Sequence, residues 1–190
     1  MNRQFKQQYE ICREAILIAI IDAIQERSDY IRAIERTPRG DVPVNGIALE
    51  IFPWHNFPLG LSLRLCADLS RGEFRYNSAD WSHFEFTNGC RSPSIEVATS
   101  LITEIYIQGK QSTYELTDMA HLTFMAGADA LLNPSVAHLL NEFGIDAPEI
   151  TNEFVPSPFE YIVVDSDKTI AANYCDIVLA NRVTRRLFGK

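Results

Sequence analysis

Two aspartates near the end of the sequence, Asp165 and Asp167, are the residues whose types and spacing best suit chemistry. They follow residues 159–164, an apolar and β-rich segment that the sequence predicts to be a strand. Two carboxylates separated by one residue at the end of a strand can share a divalent cation, and such a cation can activate water or orient a phosphate. One functional hypothesis is therefore a small metal-dependent hydrolase or phosphotransferase that uses Asp165 and Asp167.

The ten residues from Tyr161 to Ile170 contain the pattern Asp-x-Asp-x-Thr and resemble the nucleophile loop of haloacid dehalogenase-like phosphotransferases. The resemblance implies that Asp165 would attack phosphorus, that Asp167 would act as acid and base, and that both would hold magnesium. In that family the motif opens the chain and further motifs follow on successive parallel strands, whereas 23 residues follow Asp167 here. The competing interpretation is a strand-to-helix turn in which one of these aspartates caps the next segment.

Histidine, cysteine and glycine residues form no other recognisable catalytic motif. Asp118 and His121 are spaced to share a helix face, as are His138 and Glu142, but the sequence has no His-Glu-x-x-His. Gly-x-Ser-x-Gly and the glycine-rich phosphate loops are also missing, so we expect no cofactor and no resident metal. The four cysteines are widely spaced and lack a Cys-x-x-Cys pair, which is typical of free thiols in the cytoplasm.

A long helix, predicted over residues 3–35, comes first among the elements that must position the candidate residues. One of its faces is apolar at helical spacing, with Phe5, Tyr9, Cys12, Ile16, Ile20 and Ile24. A second face carries Ile11, Ile18 and Ile21. Because a helix that is apolar on two sides is buried on more than one side, we expect the first face to pack on a sheet. The second face would meet another helix or another subunit, so a self-associating structural protein, as a homodimer, is a further hypothesis.

Alternating apolar and polar residues predict a sheet after this helix. Residues 47–51 and 59–65 alternate clearly, and their connection is too short for a crossover helix, so the pair should be antiparallel. Residues 73–77 and 81–87 are predicted as third and fourth strands, and residues 159–164 as another. We therefore predict an α+β fold class, in which an antiparallel sheet of three to five strands packs on the long N-terminal helix.

The second half of the sequence predicts a cluster of helices. They are expected over residues 93–108, 117–132, 134–143 and 174–188, with an acidic, proline-bearing loop at 145–158. A chain of 190 residues with 46% hydrophobic residues can bury one core, so a single domain over residues 1–190 is expected.

Acidic residues are concentrated in one part of the chain. The 57 residues between Lys110 and Lys168 contain no Lys or Arg and carry ten carboxylates, which exceeds the net charge of −8 of the whole chain. Such a segment attracts basic partners and repels nucleic acid and anionic membranes. Four of its carboxylates fall within twelve residues, where we expect contact with a partner: Glu142, Asp146, Glu149 and Glu153. The last helix is basic and could instead pair with the segment and neutralise it.

Aromatic residues are concentrated in the predicted sheet region, where 35 residues hold eight of the 20 aromatic side chains and both tryptophans. Large aromatic side chains on a sheet usually build the core. Trp54, however, falls in a loop, and Trp81 and His83 would share one side of the strand predicted over 81–87. A partly exposed face of this kind would suit a protein interface or a stacking site for a small ligand.

These patterns favour a non-catalytic binding protein that uses an acidic surface to bind a basic protein. Its concrete form is an immunity or antitoxin-like inhibitor, by analogy with small acidic α+β proteins that neutralise basic toxins. The expected binding residues are Glu142, Asp146, Glu149, Glu153, Trp54, Trp81 and His83. The hydrolase and the self-associating protein remain the alternatives.

Overall fold

Six helices and three strands make up the α+β fold of the residues that the structure describes. A computed structural model describes residues 3–35, 44–66, 68, 78–109, 116–150, 159–164 and 172–189. The elements are α1 Arg3–Glu26, α2 Ser28–Glu35, β1 Val44–Glu50, β2 Gly60–Leu65, α3 Pro93–Gly109, α4 Leu116–Leu131, α5 Pro134–Glu142, β3 Glu160–Ile162 and α6 Tyr174–Phe188. The predicted class and the helices of the second half are therefore confirmed.

The predicted helix over residues 3–35 is two helices, because a turn at Arg27 separates α1 from α2. Ser28 and Asp29 follow this turn, and both residue types favour the start of a helix. The Arg27 side chain leaves the helix and donates a hydrogen bond to the backbone carbonyl of Asn88. This contact ties the junction of α1 and α2 to the segment that precedes α3.

The sheet has the order β2-β1-β3, with β1 in the centre. β1 and β2 are antiparallel, as predicted, and place Ile47 opposite Leu63 and Leu49 opposite Leu61. β3 pairs with β1 in the parallel direction, with Tyr161 beside Ile47, so the prediction of a wholly antiparallel sheet was wrong. Parallel neighbours need a long crossover connection, and the helices between β1 and β3 provide it.

The segment predicted as a fourth strand over residues 81–87 forms turns, and His83 makes only an isolated bridge to Leu63. Glu85 has a φ of 41°, in the left-handed region, and its carbonyl accepts a hydrogen bond from Asn88 in a tight turn. A residue in this conformation cannot continue a strand. The strand predicted over residues 73–77 lies outside the described residues.

α4 contacts both β1 and β3 on one face of the sheet, and the apolar side chains of α1, α3 and α4 form the main core with this face. Ile47, Leu49 and Leu61 point into this core and are at most 1% exposed. α4 approaches the sheet closely at Gly127, where an added Cβ would lie 2.3 Å from the Ile51 Cδ1 atom. A glycine here allows the helix backbone to lie against the side chains of β1.

α6 runs in the same direction as α4 and is attached to it at two points. The Tyr174 hydroxyl lies 2.6 Å from His121 Nδ1, and eight residues further along both helices Arg182 lies 2.5 Å from Asp129. Asn173 caps the start of α6 by accepting a hydrogen bond from the Cys175 amide. These contacts align α6 with α4 from Tyr174 to Arg182 and so set the direction of its last residues.

Candidate functional site

Three of the four predicted acidic contact residues lie together in the chain and are exposed. Glu142 ends α5, and Asp146 and Glu149 follow it in a segment without regular structure. We call these three carboxylates the acidic surface. Glu153, the fourth predicted residue, lies outside the described residues.

Hydrogen bonds and burial hold the backbone of the acidic surface in place. The Asn141 side chain bridges to Ala147 twice: its Nδ2 donates to the Ala147 carbonyl at 2.8 Å, and its Oδ1 accepts from the Ala147 amide at 2.9 Å. Ile145 and Ala147 are 1% and 2% exposed, so the residues between the carboxylates are anchored in the core. Gly144 makes the reversal after α5 with a φ of 94°.

The segment is also held at its far end, where the Tyr161 hydroxyl on β3 donates to the Pro148 carbonyl at 2.9 Å. Burial raises the pKa of Tyr161, and the negative charge of Glu149 contributes to the increase. The hydroxyl therefore stays protonated and able to donate at neutral pH. The acidic surface is thus displayed from a backbone that is fixed on both sides.

A histidine and an arginine lie beside the acidic surface. His138 lies one helical turn before Glu142 on α5, with its Nε2 3.2 Å from the carboxylate, and both groups are well exposed. Arg32 of α2 lies over the Phe143 ring at 4.8 Å from its centre. Arg32 also lies 3.8 Å from Asp29, so a partner would meet the three carboxylates beside an Arg32–Asp29 pair.

Asp129, another carboxylate of the acidic segment, is held inside the fold rather than displayed. Its side chain is 18% exposed and lies 2.5 Å from Arg182 of α6 and 3.6 Å from Arg13 of α1. Burial, together with the nearby Asp129 charge, raises the pKa of the Tyr9 hydroxyl. Within the described residues, Asp129 pairs the last helix with the acidic segment, at a place separate from the acidic surface.

Trp54 is half-buried in the connection between β1 and β2. Its ring makes edge contacts with Tyr106 of α3 and Phe124 of α4, at 6.3 and 6.0 Å between ring centres. The exposed aromatic groups lie next to it: His55 stacks on Phe57 at 5.1 Å, and Phe57 is 58% exposed. Trp54 is thus mainly a packing residue, and His55 and Phe57 form the small exposed aromatic surface beside it.

Trp81 and His83 do not form the partly exposed face that the predicted strand implied. Trp81 is 5% exposed and packs with Ala48 and Ile162 on the face of the sheet opposite the main core, which we call the back face. His83 is half-buried, and its Nδ1 lies 2.9 Å from the Tyr30 hydroxyl. Burial lowers the pKa of His83, although nearby Asp68 opposes this effect. Both residues attach the turns after residue 78 to the fold.

Sequence reasoning missed a buried arginine on the back face. Arg64 alternates with the leucines of β2, on the side of the strand where a polar residue would face solvent, but it is 1% exposed. Its Nε donates to the Asn45 side chain at 3.0 Å, and its Nη1 lies 2.8 Å from the Glu160 carboxylate. The guanidinium also lies over the Trp81 ring at 5.4 Å. The absence of a side chain at Gly46, where a Cβ would lie 3.3 Å from the guanidinium carbon, leaves room for it.

A second polar group on the back face joins β1, β2 and the turns. The Ser62 hydroxyl donates to Glu50 at 2.6 Å and accepts from the Glu85 amide at 2.8 Å. Burial raises the pKa of Glu50, and the Glu85 charge adds to this effect, while hydrogen bonds from Ser62 and Ser78 oppose it. These hydrogen bonds attach the irregular segment that covers the back face to β1 and β2.

No metal site is found in the part of the chain that the structure describes, where no three His, Cys, Asp or Glu side chains converge. Asp165 and Asp167, the predicted metal ligands, lie outside that part. Among the described helices, none combines the length and apolar character needed to cross a membrane. Comparison with protein-family models, with curated proteins and with solved structures finds no match to this chain.

Proposed function

We propose that this chain is a non-catalytic binding protein whose acidic surface receives a basic region of another protein. The observation that carries the proposal is the way in which Asp146 and Glu149 are held. Their segment is closed by the two hydrogen bonds between Asn141 and Ala147 and is anchored by buried Ile145. A surface that is already ordered loses little conformational entropy when a partner binds.

The charge pattern supports a basic partner rather than nucleic acid or an anionic small molecule. Carboxylates fixed in place attract Lys and Arg side chains of a partner, accelerate association and disfavour acidic competitors. Arg32, beside Phe143, would pair with an acidic group at the margin of such a partner and so add selectivity. The concrete form of the proposal is an immunity-like or antitoxin-like inhibitor that covers a basic site, for example that of a nuclease.

A capture experiment with paired variants tests this function. Immobilised wild-type protein, the Asp146→Lys/Glu149→Lys variant and the Glu96→Lys/Glu104→Lys variant are exposed to lysate of the source cells and eluted with increasing salt. The two variants change net charge equally, and Glu96 and Glu104 are exposed on α3. We expect a basic protein that elutes from the wild type and the α3 variant at moderate salt and is lost from the Asp146/Glu149 variant.

Lysozyme, added as an unrelated basic protein, controls for nonspecific attraction and should be washed from all three proteins at lower salt. Equal recovery of the captured protein from both variants would show that the acidic surface is not the site. Recovery that does not change with salt would exclude an electrostatic interface. Inhibition is then tested on the captured protein directly, by adding the wild type and the two variants to its activity assay.

A further inference from the structure

The end of α6 extends past the end of α4, and its residues 184–188 are all exposed. α4 ends at Leu131, two residues after the Asp129 side chain that binds Arg182, whereas α6 continues for six residues beyond Arg182, about 9 Å. Two large apolar side chains are exposed in this part of α6: Leu187 is 65% and Phe188 70% exposed. Arg185 is exposed beside them. The end of α6 is therefore apolar at its tip and basic at its side.

A second exposed apolar surface lies on α1, on the side away from the sheet. Ile11 and Ile18 are 49% and 47% exposed, and because they are seven residues apart they lie in one line along the helix. Glu14 is exposed between them. This line, which we call the isoleucine face, contains two of the three isoleucines of the predicted second apolar face, whereas the third, Ile21, is partly buried against the core.

α3 extends the isoleucine face. α1 and α3 are antiparallel, since Gln8 bonds Gln108 at 2.7 Å and Asp22 bonds Ser92 at 3.0 Å. This register places Val97 near the level of Ile18, and Val97 is 60% exposed. Exposed β-branched side chains at one level on two adjacent helices widen the apolar surface, and clustered exposed apolar groups often mark an interface.

The two exposed surfaces are complementary in both polarity and charge. Leu187 and Phe188 offer apolar groups to a surface of isoleucine and valine, and Arg185 offers a cation to Glu14. In the structure Leu187 and Phe188 are about two-thirds exposed and Ile11 and Ile18 about half exposed, so these two surfaces do not cover each other within one chain. We propose that a second copy of this chain does so: the end of α6 of each copy packs on the isoleucine face of the other.

A two-fold arrangement makes this contact twice. One helix end buries too little surface for a stable complex, since specific interfaces bury on the order of 1,200–2,000 Å². A symmetric exchange of two α6 ends doubles the buried surface and closes the assembly, whereas a single head-to-tail contact would leave it open to form chains. The proposed contact uses no residue of the acidic surface, so this inference does not rest on the proposed binding function.

Sedimentation equilibrium of the purified chain, from micromolar to submillimolar concentration, tests the dimer. We expect a wild-type dimer and a monomer for Leu187→Asp/Phe188→Asp, whose changed residues are exposed and leave the core intact. Phe84→Asp is the matched control, since Phe84 is an exposed apolar residue, 41% exposed, in the turns beside the back face of the sheet and away from α1 and α3. This variant should remain dimeric.

Charge reversal tests the orientation of the two copies. We expect Arg185→Glu to weaken the dimer by about tenfold, and Glu14→Arg in the same chain to restore it. A monomeric wild type, a dimer that survives Leu187→Asp/Phe188→Asp, or a lack of rescue by Glu14→Arg would each overturn the proposal. A monomer whose α6 end instead binds vesicles of anionic lipid would overturn it in favour of a membrane surface.

Discussion

Charged side chains occupy two contrasting settings in this molecule. On the back face and between the helices they are paired and at least partly buried, as in Arg64 with Glu160 and Asp129 with Arg182. On the acidic surface, Asp146 and Glu149 are exposed while the backbone between them is buried and hydrogen-bonded. The paired charges connect elements of the fold to one another. The fold in turn positions Asp146 and Glu149 through their ordered backbone.

This difference predicts which charged residues contribute to stability and which contribute to binding. Removing one member of a buried pair leaves the other without its partner in a poorly solvated place, which is costly. Removing an exposed carboxylate costs the fold little, because water solvates the carboxylate in the folded and unfolded states alike. If this assignment is correct, substitutions of the paired charges should lower the free energy of unfolding, and substitutions on the acidic surface should leave it unchanged.

Arg64→Ala should have the largest effect. It leaves Glu160 and the Asn45 side chain without their guanidinium partner on the back face, and we expect a loss of about 3–5 kcal/mol in the free energy of unfolding. Urea denaturation followed by circular dichroism measures this loss. Arg64→Met/Glu160→Leu, which removes both charges, should be more stable than Arg64→Ala, and a less stable double variant would contradict the assignment.

Asp129→Asn should have the next largest effect. It removes the charge that Arg182 and Arg13 share between α6 and α1, and we expect a loss of about 1–3 kcal/mol. Arg182→Met should cost a similar amount. Because the two residues form one contact, the double variant should cost less than the two single changes together. Strictly additive losses in urea denaturation would show that the ion pair contributes nothing.

The stability difference between the wild type and Glu50→Gln should depend on pH. Burial raises the pKa of Glu50, so the folded protein retains a proton that the unfolded chain has released. The stability contributed by this group is therefore present below the unfolded pKa, about 4.3, and is lost as the pH rises through the folded pKa. Glu50→Gln should thus gain stability relative to the wild type over this range. A difference that stays constant with pH would contradict the burial of an ionisable Glu50.

Asp146→Asn/Glu149→Gln should have the smallest effect on stability, within about 0.5 kcal/mol of the wild type. The same urea denaturation measures it, and Asn141→Ala is the informative comparison. That variant keeps both carboxylates but removes the two hydrogen bonds to Ala147, so it should lose about 1–3 kcal/mol. A destabilised carboxylate variant would mean that these groups support the fold rather than a partner.

Much of the fold could be predicted from the sequence because its patterns are local. Leucine alternation in residues 59–65 identified β2, and apolar spacing with end signals identified α3 to α6. The partner of β3 could not be predicted, since pairing with β1 is decided by how the intervening helices pack. The aromatic residues over 81–87 resemble a strand, but the left-handed backbone at Glu85 is a property of the turn.

The position of the candidate site along the chain could be predicted. The sequence could not show which carboxylates are exposed and which are paired inside the fold. A run of carboxylates without Lys or Arg is visible in the sequence, and Glu142, Asp146 and Glu149 are exposed where contact was expected. The sequence could not assign Asp129 to an internal pair, because Arg13 and Arg182 are distant along the chain and meet it only after folding. The burial of Arg64 was hidden for the same reason: an irregular segment covers the strand face on which it lies.

The association rate of the captured basic protein, measured by stopped flow at increasing ionic strength, tests the acidic surface most directly. We expect wild-type association to slow strongly with salt, because charges fixed on the acidic surface steer the encounter. Asp146→Lys/Glu149→Lys should associate at least about tenfold more slowly at low salt, whereas Glu96→Lys/Glu104→Lys should stay close to the wild type. Equal slowing by both variants would mean that net charge alone governs the encounter, and would contradict a dedicated acidic surface.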